Sequence, residues 1–207
     1  LLGQETLVQT SQITVPSRYG SLERFNAALE KMVREHPSLA RTHTNRATRN
    51  GIQTGSLSVE SPPDMRALLS LVNGIVRSMK ANLTDAGHGD HPWVRYAPAQ
   101  WTVNSWAVIL EDQGYQLSHI HPEAWMSAVY YVAVPEDGVG PDYGEDGWLE
   151  MGQPSDQLFA KSETPLRSIR PEPGKLVTFP SYTFHRTKPF NSAKQRISIS
   201  FDIFAEP

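Results

Sequence analysis

The sequence predicts a mainly β fold with flanking helices (α+β), a double-sheet jelly roll packed against two N-terminal helices. Three observations carry this. Two segments in the first hundred residues repeat apolar side chains at helical spacing. From Trp101 onward, short β-rich runs alternate with Gly, Pro and acidic turns, and the final run alternates apolar and polar residues strictly.

The first helix is signalled by Ser21-Leu22-Glu23-Arg24, after which Leu22, Phe25, Leu29 and Met32 or Val33 recur at three- and four-residue intervals up to His36-Pro37. Ser61-Pro62-Pro63-Asp64 opens a second, whose stripe of Leu68, Leu69, Val72, Ile75, Val76 and Met79 ends near Asn82. The polar stretch between them, Arg41 to Gly55, carries no strand or helix pattern.

Candidate strands follow at Trp101–Leu110, Tyr115–His121, Trp125–Val134, Trp148–Gly152, Leu166–Arg170, Lys175–Phe179, Phe184–Thr187 and Gln195–Phe204. Eight short strands suit a double-sheet jelly roll or similar barrel. In the last, alternation sends Arg196, Ser198, Ser200 and Asp202 to one face and Ile197, Ile199, Phe201 and Ile203 to the other. In a barrel the polar face lines a hydrophilic cavity while the apolar face packs under the helices. Glu136–Gly147 reads as one flexible acidic loop.

At 207 residues the chain suits a single domain over 1–207, with 1–100 as helical scaffold and edge segments and 101–207 as the jelly-roll core. Nineteen basic against 22 acidic residues, a net charge of -3, give no footprint for nucleic acid or an anionic membrane. Without cysteine there are no disulfides, thiolate metal sites or cysteine nucleophiles, so any metal is held by nitrogen and oxygen. Apolar runs such as Ala128 to Val134 fall far short of the ~20 residues that cross a bilayer, and a cytoplasmic protein is expected. Leu1-Leu2-Gly3 lacks an initiator methionine, which suggests a missing N-terminal portion.

His119-Ile120-His121 sets two imidazoles two residues apart, on one side of a strand, where they can chelate one ion; the alternative is two exposed or hydrogen-bonded histidines. His185 follows a strand and a Pro180-Ser181 turn, as a third ligand from a neighbouring strand does. Arg196 comes eleven residues later with Ser198 on the same face, a fork and a hydroxyl suited to a carboxylate; the alternative is an ordinary surface arginine. The histidines at 36, 43, 88 and 91 read as solvated, as do Glu136, Asp137, Asp142, Glu145 and Asp146.

In this order, His-x-His-Pro, Ser127-Ala128-Val129-Tyr130-Tyr131-Val132, Pro173 to Ser181, His185 and Arg196-x-Ser198, the chain resembles the 2-oxoglutarate/iron(II) oxygenases, in a prolyl-hydroxylase-like branch with a His-x-His-Pro motif. The resemblance spans roughly Trp101 to Ile203. It implies a double-stranded β-helix (cupin-like jelly roll), Fe(II) on His119, His121 and His185, and 2-oxoglutarate chelating that iron, with Arg196 and Ser198 on its distal carboxylate. Tyr131 would add a hydroxyl to that carboxylate, with a packed core tyrosine as the alternative. Asn104 sits on a strand that should flank the His pair, where its amide can bind cosubstrate or orient a ligand; a buried structural amide is the alternative.

The family's usual second ligand is the carboxylate of His-x-Asp or His-x-Glu, where this chain has His121. Three neutral imidazoles leave two net charges on Fe(II), against one with a carboxylate ligand. A second register, His121, Glu123 and His185, restores a carboxylate, although Pro122 ends the strand before it. The expected reaction is hydroxylation of a small-molecule or protein side-chain substrate with O2, releasing succinate and CO2. A cupin-like three-histidine enzyme that does not use 2-oxoglutarate and a non-catalytic jelly-roll binding module are the alternatives.

Overall fold

The computed structural model describes residues 3–42, 46–58, 61–155 and 165–206. Ten strands, all paired antiparallel, form one continuous curled sheet in the order β1 (Gln9–Gln12), β8 (Lys175–Pro180), β5 (Met126–Ala133), β10 (Arg196–Ala205), β4 (Trp101–His119), β9 (His185–Thr187), β6 (Leu149–Met151) and β7 (Arg167–Ile169). β3 (Thr48–Gln53) pairs with β4 and carries β2 (Ala40–Arg41) at its edge. This is the jelly roll that the alternating runs predict.

The long strand β4 joins the two halves of the roll. Its first part pairs with β10 from Trp101 to Leu110, and its last residues, Gln116 and His119, pair with Thr187 and His185 of β9. Between them the chain turns at Gln113, held at a φ of 59°, and Gly114, where an added Cβ would lie 2.6 Å from the Glu111 carbonyl. Two expected strands are thus one bent strand. The segment 41–55 differs too: it holds β3 and half of β2, invisible in TRNGIQ because Arg, Asn and Gly suppress the alternation and β4 supplies the pairing.

Among the described residues four α-helices accompany the sheet, the short α1 (Gln4–Leu7) and α4 (Pro92–Arg95) and the longer α2 (Leu22–Arg34) and α3 (Pro63–Leu83). Ser21 caps α2, its hydroxyl accepting from the Arg24 amide at 3.3 Å, and Pro63 opens α3 where its missing N–H costs nothing. Phe25, Leu29 and Val33 of α2 and Leu68, Val72 and Val76 of α3 bury against Ile197, Ile199, Phe201 and Ile203 of β10. Each such side chain contributes roughly 1.5–3 kcal/mol by burial. The opposite face of β10 is left for the barrel interior.

Inside, Tyr131, Leu149, Met151, Val177 and Phe179 form one apolar cluster, and Val108, Leu110, Val139 and Phe190 another. The second corrects the reading of 136–147 as a free loop: Val139 is buried, Glu145 pairs with Lys188 and accepts from the Ser168 hydroxyl, and Gly138 packs so closely on Asn191 that no Cβ fits. Among the described residues no helix is long and apolar enough to cross a membrane.

Candidate metal and carboxylate site

His119 closes β4, His121 stands just beyond it, and His185 opens β9 directly across from His119 in the register. The turn after His121 is pinned by its amide donating to the Ser181 carbonyl at 3.0 Å. One ring nitrogen from each histidine lies within 4.8 Å of the other two, an arrangement that can hold a metal ion. The ring centres are 4.2 Å apart for His119 and His185, and 5.1 Å from His121 to each.

The hydrogen bonds determine which nitrogen is free. His119 Nδ1 donates to the Leu117 carbonyl at 2.7 Å, His185 Nδ1 to the Thr183 carbonyl at 3.0 Å, and His121 Nδ1 to Asp202 Oδ1 at 2.6 Å. Each acceptor can only receive, so Nδ1 carries the proton and Nε2 presents its lone pair. Burial pushes His119 down to about 4, with neighbouring His121 adding to the effect, and pushes His185 well below its ordinary range. Both are therefore neutral at pH 7, the form a metal binds.

Asp202 was legible only as part of the polar face. Its carboxylate also accepts from Ser127 Oγ at 2.7 Å, and Ser181 donates to Ser127 at 2.8 Å. Glu123 is exposed in the turn after Pro122 and stands outside the histidine cluster.

Deeper in the barrel lies a narrow cavity of about 30 Å3, lined by all three histidines together with Tyr131, Thr187, Arg196 and Ser200. That volume holds about two waters, so a five-carbon diacid enters only if lining side chains shift. Arg196 is 2% exposed, and its Nη1 donates to the Thr187 hydroxyl at a long 3.3 Å. Its Nε is unpartnered and it has no carboxylate partner among the described residues. The Tyr131 hydroxyl is likewise buried and meets no partner at full hydrogen-bond geometry among the described residues; burial raises its pKa, with the charge and polar contact of Arg196 opposing. A buried, uncompensated cation beside an idle hydroxyl fits an anionic group.

Ser198 is buried on the same strand, opposite Tyr131 in the register, although Ser200 rather than Ser198 lines the cavity. Asn104 stands apart from Arg196. It is exposed, its side-chain oxygen accepts from the Ser56 hydroxyl at 2.8 Å, and it borders an outer groove of about 400 Å3 with His119, His121 and Asp202. A second groove, about 820 Å3, reaches His119 past Arg49, Tyr115, Gln116, Arg186 and Lys188. Of the early histidines, His91 caps α4, accepting from the Trp93 amide; His43 lies outside the described residues.

Jelly roll, histidine cluster and buried arginine together define a site able to hold a metal ion and an anionic group. More particularly, residues 104–202, just under half of the chain, match the family described as "Putative 2OG-Fe(II) oxygenase". Among solved structures it is similar to a Pseudomonas putida prolyl-4-hydroxylase, with a TM-score of 0.66 and 14% identity over 99% of this chain and 96% of that one. It is similar to a viral collagen prolyl hydroxylase of Paramecium Bursaria Chlorella virus-1 solved with 2-oxoglutarate (0.63, 12%, 97% and 97%). HygX of Streptomyces hygroscopicus, solved with nickel, 2-oxoglutarate and hygromycin B, is a third (0.60, 13%, 98% and 84%). Nothing among curated proteins matches the chain.

Proposed function

We propose that the chain is a dioxygenase that hydroxylates a C–H bond, converting substrate, O2 and 2-oxoglutarate into hydroxylated substrate, succinate and CO2. The carrying observation is Arg196, a buried cation without a counter-ion among the described residues, in a cavity also lined by three convergent imidazoles.

In this reading Nε2 of His119, His121 and His185 holds the iron. Arg196 takes the distal carboxylate of 2-oxoglutarate through its charged fork, the Tyr131 hydroxyl donates to the same group, and Ser198 supports that end of strand β10. Bound iron and 2-oxoglutarate supply the activation of O2. The protein contributes position and dryness: Val129, Leu149 and Phe179 wall the cavity and keep water from the buried charge. Asn104, on the rim, meets substrate rather than cosubstrate.

The two grooves at His119 and His121 give substrate its approach, wide enough for a small molecule or a protein side chain. HygX was solved with hygromycin B, and a Trichoplax adhaerens prolyl hydroxylase with a peptide fragment, so related folds present both kinds of ligand. One domain over 1–207 and a cytoplasmic location belong to the same proposal. A three-histidine enzyme without 2-oxoglutarate has no use for Arg196 as found here.

The test is anaerobic loading with Fe(II) and 2-oxoglutarate, then admission of O2 and measurement of succinate. Succinate in wild type and its loss in Arg196→Ala support the proposal. Equal succinate in both refutes the arginine's role.

A further inference from the structure

The site lacks a carboxylate among its convergent groups, yet one stands a single hydrogen bond away. Asp202 Oδ1 receives the Nδ1 proton of His121 at 2.6 Å, with both side chains mostly buried, 11% and 15% exposed. No lysine or arginine pairs with Asp202 among the described residues, whereas the other buried acid near the site, Glu150, is neutralised by Arg186 and Lys188. Ser127 fixes the same Asp202 oxygen from the side, and Ser181 fixes Ser127. The carboxylate is thus held in place and hydrogen-bonded to the His121 imidazole.

We propose that Asp202 is the positioning residue that replaces the missing ligand carboxylate, acting through His121. This rests on the three-histidine reading above. A hydrogen-bonded carboxylate fixes the tautomer and ring plane of a ligating histidine and raises the basicity of its other nitrogen. With Asp202 included, a divalent ion on three imidazoles has a net charge of one, the value that two histidines and a carboxylate leave. The negative charge has moved one bond outward along the line from metal to protein, and at low local dielectric it still acts strongly. Strand β10 thereby serves both ends of the cavity from one face: Asp202 favours a cation at the histidines, and Arg196 an anion six residues away.

The experiment titrates metal-free wild type, Asp202→Asn, Ser127→Ala and His185→Ala with Co(II), reading affinity by calorimetry and ligand geometry by the visible cobalt spectrum, with thermal unfolding of each metal-free protein alongside. Asp202→Asn is expected to bind Co(II) about 10–100-fold more weakly, with a shifted spectrum at saturation and a near-native unfolding temperature. Ser127→Ala, which keeps the carboxylate, should stay within about threefold of wild type, a difference under 1 kcal/mol. Equal affinity and spectrum in wild type and Asp202→Asn overturn the Asp202 assignment while leaving the histidine site intact, and so does a fall in Ser127→Ala as deep as in Asp202→Asn. Wild type that takes up no Co(II), or binding unaffected by His185→Ala, overturns the three-histidine reading and Asp202's role with it.

Discussion

The guanidinium carbon of Arg196 lies 4.9 Å from the ring centre of Tyr131, and the Arg196 Nε and the Tyr131 hydroxyl are both buried with no partner at full hydrogen-bond geometry among the described residues. The pair is costly to the fold alone, because a desolvated charge without a counter-ion opposes folding. Arg196→Met should therefore leave the metal-free protein as stable as wild type or more so. The same variant should lose 2-oxoglutarate affinity about 100-fold, since charge-assisted buried bonds are worth about 1.5–3 kcal/mol each. Thermal unfolding of the Mn(II)-loaded protein with and without 2-oxoglutarate reads both effects.

The two adjacent tyrosines separate fold from site. Tyr130 faces the helices and donates to Asn26 Oδ1 at 2.6 Å, while Tyr131 faces the cavity. Tyr130→Phe strands a buried acceptor and should cost about 1–3 kcal/mol of stability with 2-oxoglutarate binding unchanged. Tyr131→Phe should do the reverse, with little change in stability and a cosubstrate affinity about fivefold weaker, the worth of one ordinary hydrogen bond. Denaturant unfolding and calorimetry on the two variants decide it.

Charge at the metal end can be relocated. His121→Asp sets a new carboxylate near Asp202, and the like charges should lower metal-free stability. Adding Asp202→Asn removes the clash and leaves two histidines and one carboxylate. The double variant should bind Co(II) within about tenfold of wild type, equivalent to under 1.4 kcal/mol. A double-mutant cycle on Co(II) affinity should show strong coupling between 121 and 202, and additive effects would contradict it.

Acid should loosen the metal-free protein through the histidines. His119 falls from its ordinary 6.5 to about 4, chiefly by burial, and His185 falls well below 6.5 for the same reason. Between about pH 6.5 and about pH 4 the unfolded chain binds protons that the folded chain refuses, so stability is full above this window and declines as pH drops through it. His119→Asn should show a shallower decline, measured as unfolding temperature against pH.

Much of this was legible because it is local. The α2 and α3 stripes and the alternation of β10 follow from chain periodicity, and they place Arg196 inside and Ile197 under the helices. The histidines and the arginine announce their chemistry by type and order. What escaped is made by distant pairing. Asp202 meets His121 across 81 residues, and no spacing rule links them. β3 has only Ile52 as an apolar signal and exists through β4. Gln113 and Gly114 carry turn chemistry, yet the ladder resumes beyond them, so they bend a strand instead of ending it. Asn104, expected on a strand flanking the histidine pair, stands opposite Asp202 in the register and borders the outer groove with His119 and His121.

The central claim, that His119, His121 and His185 hold iron while Arg196 anchors 2-oxoglutarate upon it, is tested most directly by the charge-transfer absorption of the anaerobic protein. Adding 2-oxoglutarate to the Fe(II)-loaded chain should produce a visible band that is absent with either component alone, absent in His185→Ala, and displaced to much higher 2-oxoglutarate concentration in Arg196→Met. A Fe(II)-loaded protein that gives no band at saturating 2-oxoglutarate, or an identical titration in Arg196→Met, would contradict it.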